Sequence, residues 1–107
     1  MHPDDEVLES LRNAGSDLLV AHKLEYYLYF PDLQSASLAR AELESRGFAI
    51  LRFESGAKPG AFLVLCAIAL VPERLHVIAL SDQLEALASR FGGEYDGWET
   101  AIVRHAT

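Results

Sequence analysis

The stretch from Ala61 to Leu70 runs almost without a polar side chain and is bounded by the turn-rich segment Ser55 to Gly60 on one side and Pro72 on the other. It is far shorter than the roughly 20 apolar residues that a membrane-spanning helix needs. Its length and its content of Val64 and Ile68 suit a strand at the centre of a sheet, buried on both faces. Such a strand needs neighbours on each side and a covering layer, and the rest of the sequence supplies both.

Lys23 to Phe30 alternates, with Leu24, Tyr26, Leu28 and Phe30 on one side and Lys23, Glu25, Tyr27 and Tyr29 on the other, which predicts a half-buried strand. Pro31 breaks it, and Asp32 is placed to cap a helix whose Ala36, Ala39 and Leu43 share a face before Gly47 ends it. A strand over Phe48 to Glu54 follows, and then the central strand. Pro72 is predicted to lie in the first turn of a second long helix carrying Leu80, Leu84, Leu87 and Phe91 as one stripe. Gly92 and Gly93 stop that helix, and Tyr95 to Val103 reads as the last strand. Ahead of these elements, Pro3 to Ala14 places Val7, Leu8 and Leu11 at helical spacing, with acids in the first turn and Gly15 as a stop.

The order is β-α-β-β-α-β after a short leading helix, the pattern of an α+β, ferredoxin-like split βαβ sandwich. A chain of 107 residues has room for one core, so residues 1–107 are expected to form a single domain with 1–20 as an N-terminal helical extension. In this topology the first and third strands are central and two helices cover one sheet face. The opposite face, holding Tyr27, Tyr29 and one side of the apolar strand, is expected to be too apolar for water. Either the leading helix, through Leu8 and Leu11, or a second subunit in a homodimer should cover it.

Half of the residues are apolar and 23% are charged, the balance of a folded protein. The 9 Lys and Arg against 16 Asp and Glu give a net charge of -7, and the cations form no cluster, so a phosphate backbone is a poor partner. Cys66 is alone, which excludes an intrachain disulfide and fits a reducing compartment. The N-terminus is acidic where a secretory signal is basic, so a cytoplasmic location is expected.

His2, His22, His76 and His105 lie in different parts of the sequence with no ligand spacing, so no metal and no cofactor is expected. Cys66 sits in an apolar run and reads as core, and Ser55 and Ser81 lack an activating pattern. The loop Gly56 to Gly60 holds Lys58 but not the spacing of a phosphate-binding loop. Glu94, Asp96 and Glu99 bring three carboxylates together, yet Asp96-Gly97 is a turn or bulge dipeptide, so these acids read as shaping a bend before they read as an acid-base pair. Tyr27 and Tyr29 could stack RNA bases, as sheets of this topology do elsewhere, but the flanking cations are missing and Lys58 to Leu65 fits the RNA-binding signature only loosely. Catalytic residues are therefore not expected.

The segment Leu87-Ala88-Ser89-Arg90-Phe91-Gly92-Gly93-Glu94-Tyr95-Asp96-Gly97-Trp98-Glu99-Thr100 resembles the regulator of ribonuclease E activity B family, the ribonuclease E inhibitor proteins. A helix ending Leu-Ala-x-x-Phe, a short break, and then Glu-Tyr-Asp-Gly-Trp carries the likeness; Tyr29-Phe30 and Gly47-Phe48-Ala49-Ile50 agree in pattern, so that it extends over roughly Leu24 to Thr100. The resemblance implies a bacterial, non-enzymatic regulator that binds the endoribonuclease of the RNA degradosome and lowers its activity by occlusion. An acidic domain suits a target with basic segments. Well-known members have a strongly acidic tail after this segment, where Arg104 and His105 stand here. The expected partner is thus a protein, an endoribonuclease E-like enzyme, with no direct nucleic acid and no membrane; a small-molecule-binding or RNA-binding ferredoxin-like domain is the alternative. Glu94, Tyr95, Asp96, Gly97, Trp98 and Glu99 are the candidate protein-binding residues, and Tyr27 and Tyr29 mark a candidate oligomer face. Trp98 suits a core or an interface equally.

Overall fold

The computed structural model describes residues 2–56, 58 and 61–104. The elements are α1 (Pro3–Asn13), β1 (His22–Phe30), α2 (Leu33–Ser45), β2 (Ala49–Ser55), β3 (Phe62–Leu70), α3 (Arg74–Arg90) and β4 (Glu94–Glu99). All strand pairs are antiparallel, in the order β2-β3-β1-β4, so β1 and β3 are central and the fold is the expected α+β, ferredoxin-like arrangement.

Each helix start is built from side chains that satisfy otherwise orphaned backbone donors. His2 accepts from the Asp4 amide while Asp5 accepts from the His2 amide, a reciprocal box at the start of α1 with Pro3 in its first turn. Asp32 Oδ1 accepts from Ser35 N at 2.8 Å, and that bond holds the Asp32 carboxyl below its ordinary range. Glu73 caps α3 through Leu75 N and His76 N. The expected position of Pro72 in the first helical turn is therefore corrected: it precedes the cap, because the Glu73 carboxylate, and not the missing proline N–H, sets the start. The three helices end alike. Gly15, Gly47 and Gly92 take positive φ, and the next residue's amide reaches back to the carbonyls of Leu11, Leu43 and Ala88.

The inward residues of β1, namely Leu24, Tyr26, Leu28 and Phe30, are at most 1% exposed. Fully burying side chains of this size contributes about 1.5–3 kcal/mol each. Ala36, Ala39 and Leu43 of α2 and Val77, Leu84, Leu87 and Ala88 of α3 lie over them. Small residues on α2 let its backbone approach the sheet. The α3 stripe differs from the expected one: Leu80 and Phe91 are half-buried at its margin, and Val77 and Ser81 take the centre.

Of the two covers expected for the open sheet face, the placement of α1 excludes the leading helix. Leu8 and Leu11 join the core beneath the helical layer, with Trp98 and Tyr26, and do not cover the opposite sheet face. Arg74 Nε donates to Asp5 Oδ1 at 2.7 Å and Trp98 Nε1 donates to Asp4 Oδ1 at 3.0 Å, so polar contacts tie α1 beside α3 and β4. The face bearing Tyr27 and Tyr29 has no covering layer among the described residues.

The last strand is also shorter than expected. The ladder stops at Glu99, and Thr100 Oγ1 donates to Lys23 O. The chain then turns to the α1–β1 connection, where Asp17 N donates to Val103 O at 2.6 Å and Val103 N to Ser16 Oγ at 3.0 Å. The backbone N–H and C=O of Val103 are thus satisfied by the Ser16 side chain and the α1–β1 loop in place of a strand partner. His105 and the loop residues Ala57, Pro59 and Gly60 lie outside the described residues. Among the described residues no helix is long and apolar enough to cross a membrane.

Candidate functional site

The segment Glu94 to Glu99 enters the sheet with an irregularity that decides where each side chain goes. Leu28 is opposite Tyr95 and Tyr26 is opposite Trp98, so two residues, Asp96 and Gly97, stand against Tyr27 alone. Strand side chains alternate, so residues three apart should point to opposite faces. The extra residue of the bulge restores both Tyr95 and Trp98 to the helical side. Gly97 makes the bulge with φ of +102°, a conformation that L side chains resist.

Tyr95 and Trp98 consequently flank the Tyr26 ring, with centroids 6.3 and 6.4 Å away, and Phe48 meets the same ring edge-on at 6.0 Å. Trp98 is 8% exposed. It is a core residue, and its indole N–H is spent on Asp4, which is itself buried. Tyr95 Oη and Ser81 Oγ are 3.1 Å apart, and burial pushes the Tyr95 hydroxyl up to about 12. Burial likewise raises Tyr26, and it pushes the Cys66 thiol up to about 12, which makes Cys66 an inert core residue and a poor nucleophile. Two buried polar atoms, Asp4 Oδ2 and the Tyr26 hydroxyl, lack a hydrogen-bond partner among the described residues.

On the other face, the acids of the same segment meet the tyrosines of β1. Tyr29 is opposite Glu94, Glu25 is opposite Glu99, and the Tyr27 hydroxyl donates to Glu99 Oε1 at 2.5 Å. That bond raises the Tyr27 pKa, since ionising the phenol would put two anions in contact. Two residue sets that are distant in sequence, Tyr27 with Tyr29 and Glu94 with Glu99, are thereby one surface. Leu65 and Leu63 lie opposite the two tyrosines on β3, with Arg52 and Glu54 beyond them on β2. The face is therefore not bare apolar surface, as expected from sequence: the leucines are 6 and 7% exposed, shielded by their neighbours, and the rim is charged.

Two open grooves adjoin the bend. One, of about 490 Å³, lies at the end of the sheet between Tyr29, Pro31, Lys58, Gly93, Glu94 and Asp96. The other, of about 530 Å³, lies between the start of α1, α3 and β4 and is lined by His2, Asp4, Ser81, Glu85, Tyr95 and Trp98. Asp96 borders both. Neither is an enclosed chamber that strips water from a reacting group.

A Ser-His pair that sequence reading missed is also present: Ser16 Oγ lies 2.6 Å from His22 Nε2, and His22 Nδ1 donates to Val20 O. Both residues are buried and the Ser16 oxygen accepts from Val103 N, so the pair fastens the chain after β4 to the loop before β1 and offers no accessible nucleophile. The alternation of β1 predicts an inward side chain at position 22, one step before Leu24, and that periodicity was the available signal. His76 is exposed on α3. Among the described residues no group of three His, Cys, Asp or Glu side chains is placed to hold a metal ion.

Comparison with known proteins accords with this geometry. The family described as Regulator of ribonuclease activity B matches residues 2–100, a span that takes in every helix and strand. Proteins named Regulator of ribonuclease activity B from Escherichia coli (strain K12) and Shigella flexneri are each 30% identical over 97 residues, covering 88% of this chain and 70% of the relative. From the leading helix to the Tyr-Asp-Gly-Trp bulge, the chain belongs to the regulator of ribonuclease activity B family.

Proposed function

We propose that this chain is a non-enzymatic regulator that works as one domain in the bacterial cytoplasm, binding an endoribonuclease of the ribonuclease E type and lowering its activity by occlusion. The observation that carries the reading is the family match over residues 2–100, which includes the Asp4–Trp98 junction as well as the bulge. The side chains with the chemistry for catalysis are placed otherwise: Cys66 and the Ser16–His22 pair are buried, and Glu94 and Glu99 lie on an open sheet face where water screens them. The net charge of -7 favours a protein partner over RNA.

The test is a cleavage assay in which purified chain is titrated into a purified ribonuclease E with a labelled transcript, alongside anisotropy of the same RNA with the chain alone. Saturable inhibition with no RNA binding is expected. Unchanged cleavage at saturating chain would refute the reading, and tight, salt-sensitive binding to free RNA would replace it with the RNA-binding alternative that Tyr27 and Tyr29 raise.

A further inference from the structure

The uncovered sheet face is built in cross-strand rows, since residues directly opposite one another share a face. One row reads Glu54, Leu63, Tyr29, Glu94 from β2 to β4; the next reads Arg52, Leu65, Tyr27 and ends at the Asp96-Gly97 bulge. The centre is aromatic and aliphatic, and the rim is charged. Two rim cations are already engaged: Arg52 Nε lies 2.5 Å from Glu54 Oε1, and Lys23 Nζ lies 3.9 Å from Glu25 Oε1. Beside β4, Lys58 borders one groove with Glu94 and Asp96 but forms no ion pair with them among the described residues. Glu94 and Asp96 form no ion pair among the described residues, both are exposed, and Glu99 is met only by a phenol. The negative charge of this face is therefore concentrated along β4, beside Tyr27 and Tyr29.

We propose that the β1–β4 side of this face docks an extended, arginine- or lysine-bearing segment of a protein partner, with Tyr27 and Tyr29 under its side chains and Glu94 and Asp96 receiving its cations. A guanidinium can stack on a phenol ring and pair with a carboxylate at once, and half-buried tyrosines next to unpaired acids provide both contacts. An extended peptide projects every second side chain to the same side, which matches the spacing of Tyr27 and Tyr29 along β1. Charge selects this occupant over a second copy of the chain, because two such faces brought together would oppose uncompensated carboxylates. The inference rests on the regulatory reading above and names the surface that serves it.

The probe is a fluorescein-labelled peptide alternating arginine with serine, compared by anisotropy with its glutamate–serine counterpart. The variants are Glu94→Lys/Asp96→Lys, a control Glu9→Lys/Glu44→Lys with the same change in net charge on the exposed sides of α1 and α2, and Tyr29→Ala. All replaced acids are exposed, and the pairs that the control breaks, Glu9–Arg12 and Glu44–Arg40, are surface pairs of little weight, so unchanged melting is the entry condition for the charge variants. The expected result is binding of the arginine peptide alone, weakened by salt, about tenfold weaker in Glu94→Lys/Asp96→Lys, several-fold weaker in Tyr29→Ala, and shifted far less in the control. Equal weakening in both charge pairs means diffuse attraction to an acidic protein and overturns the proposal. A wild-type dimer in sedimentation that ignores the peptide and dissociates on Tyr29→Ala overturns it too, giving the face to a second copy. Nuclease assays with the same variants separate the two readings. Inhibition retained by Glu94→Lys/Asp96→Lys removes this face and leaves the regulatory reading standing, whereas a wild type that binds the peptide but does not inhibit keeps the face and removes that reading.

Discussion

Replacing Trp98 by Phe removes one donor from the interior while keeping most of the ring, and the contacts of Trp98 set the cost. The indole N–H donates to Asp4 Oδ1 at 3.0 Å in a buried site, where Asp4 Oδ2 has no hydrogen-bond partner among the described residues. A bond to a carboxylate contributes about 1.5–3 kcal/mol, and stranding a buried acceptor forfeits that bond outright. The smaller ring also loses packing against Tyr26, on the order of 1 kcal/mol. Trp98→Phe should therefore cost about 2.5–4 kcal/mol, a drop in Tm of about 11–18 °C for a domain of this size. Asp4→Ala should cost about 1–3 kcal/mol, because it strands the indole N–H instead. In the double variant neither group is stranded, so its loss should fall short of the summed single losses by about 1.5–3 kcal/mol. Urea melts followed by far-UV circular dichroism measure all four proteins, since Trp98, the sole tryptophan, cannot serve as a probe in two of them. Helix-dipole effects of Asp4 in the first turn of α1 occur in both arms of the cycle and cancel. Additivity within 0.5 kcal/mol would refute the claim that this bond fastens α1 to β4.

Other positions give independent checks. A methyl group at Gly93 would meet Tyr29 O at 2.4 Å and the Phe30 ring at 2.5 Å, so Gly93→Ala should lower stability by about 2–3 kcal/mol in the same melts. At Gly97 there is space for a Cβ but φ is +102°, so Gly97→Ala should cost about 1–2 kcal/mol through the backbone alone and Gly97→Asn less. Asp32→Ala should destabilise the protein at neutral pH through loss of the cap, and because the Asp32 pKa is depressed, the cap's contribution is present above the ordinary carboxylate value of 3.8 and disappears as pH falls through the lower folded value. The raised groups act at the other end. Tyr26, Tyr95 and Cys66 stabilise fully below their unfolded values of 10.0, 10.0 and 9.0, and that contribution is lost as pH rises through the raised folded values, about 12 for Tyr95 and Cys66, so Tm should fall steeply above pH 9. A Tm independent of pH up to 12 would contradict the burial of these groups.

Much of the fold is written in local patterns. The alternation of Lys23 to Phe30, the Ala36–Ala39–Leu43 face and the glycines after each helix each specify an element through its own neighbours, and the structure contains all of them. What escaped depends on distant partners. Nothing near Leu8 and Leu11 says which side of the sheet they will cover; that choice is made by Trp98 and Arg74 through Asp4 and Asp5. Tyr95 to Val103 reads as one strand from its own residues, whereas Ser16 and Asp17, far away in sequence, take the Val103 backbone groups. The candidate site was legible in its residue types and not in its division. Alternation would send Tyr95 and Trp98 to opposite faces, and only the register beside Tyr27 shows that the bulge reunites them in the core and leaves Glu94 and Glu99 with Tyr27 and Tyr29.

In the proposed function the chain acts by contact with a ribonuclease. Calorimetric titration of purified chain into a purified endoribonuclease of the ribonuclease E type, with no RNA present, tests it most directly. A saturable complex of fixed stoichiometry is expected, weakened by salt and by Glu94→Lys/Asp96→Lys. A titration showing no heat and no complex by sedimentation, under conditions in which the chain still slows cleavage, would contradict it and place the chain on the RNA.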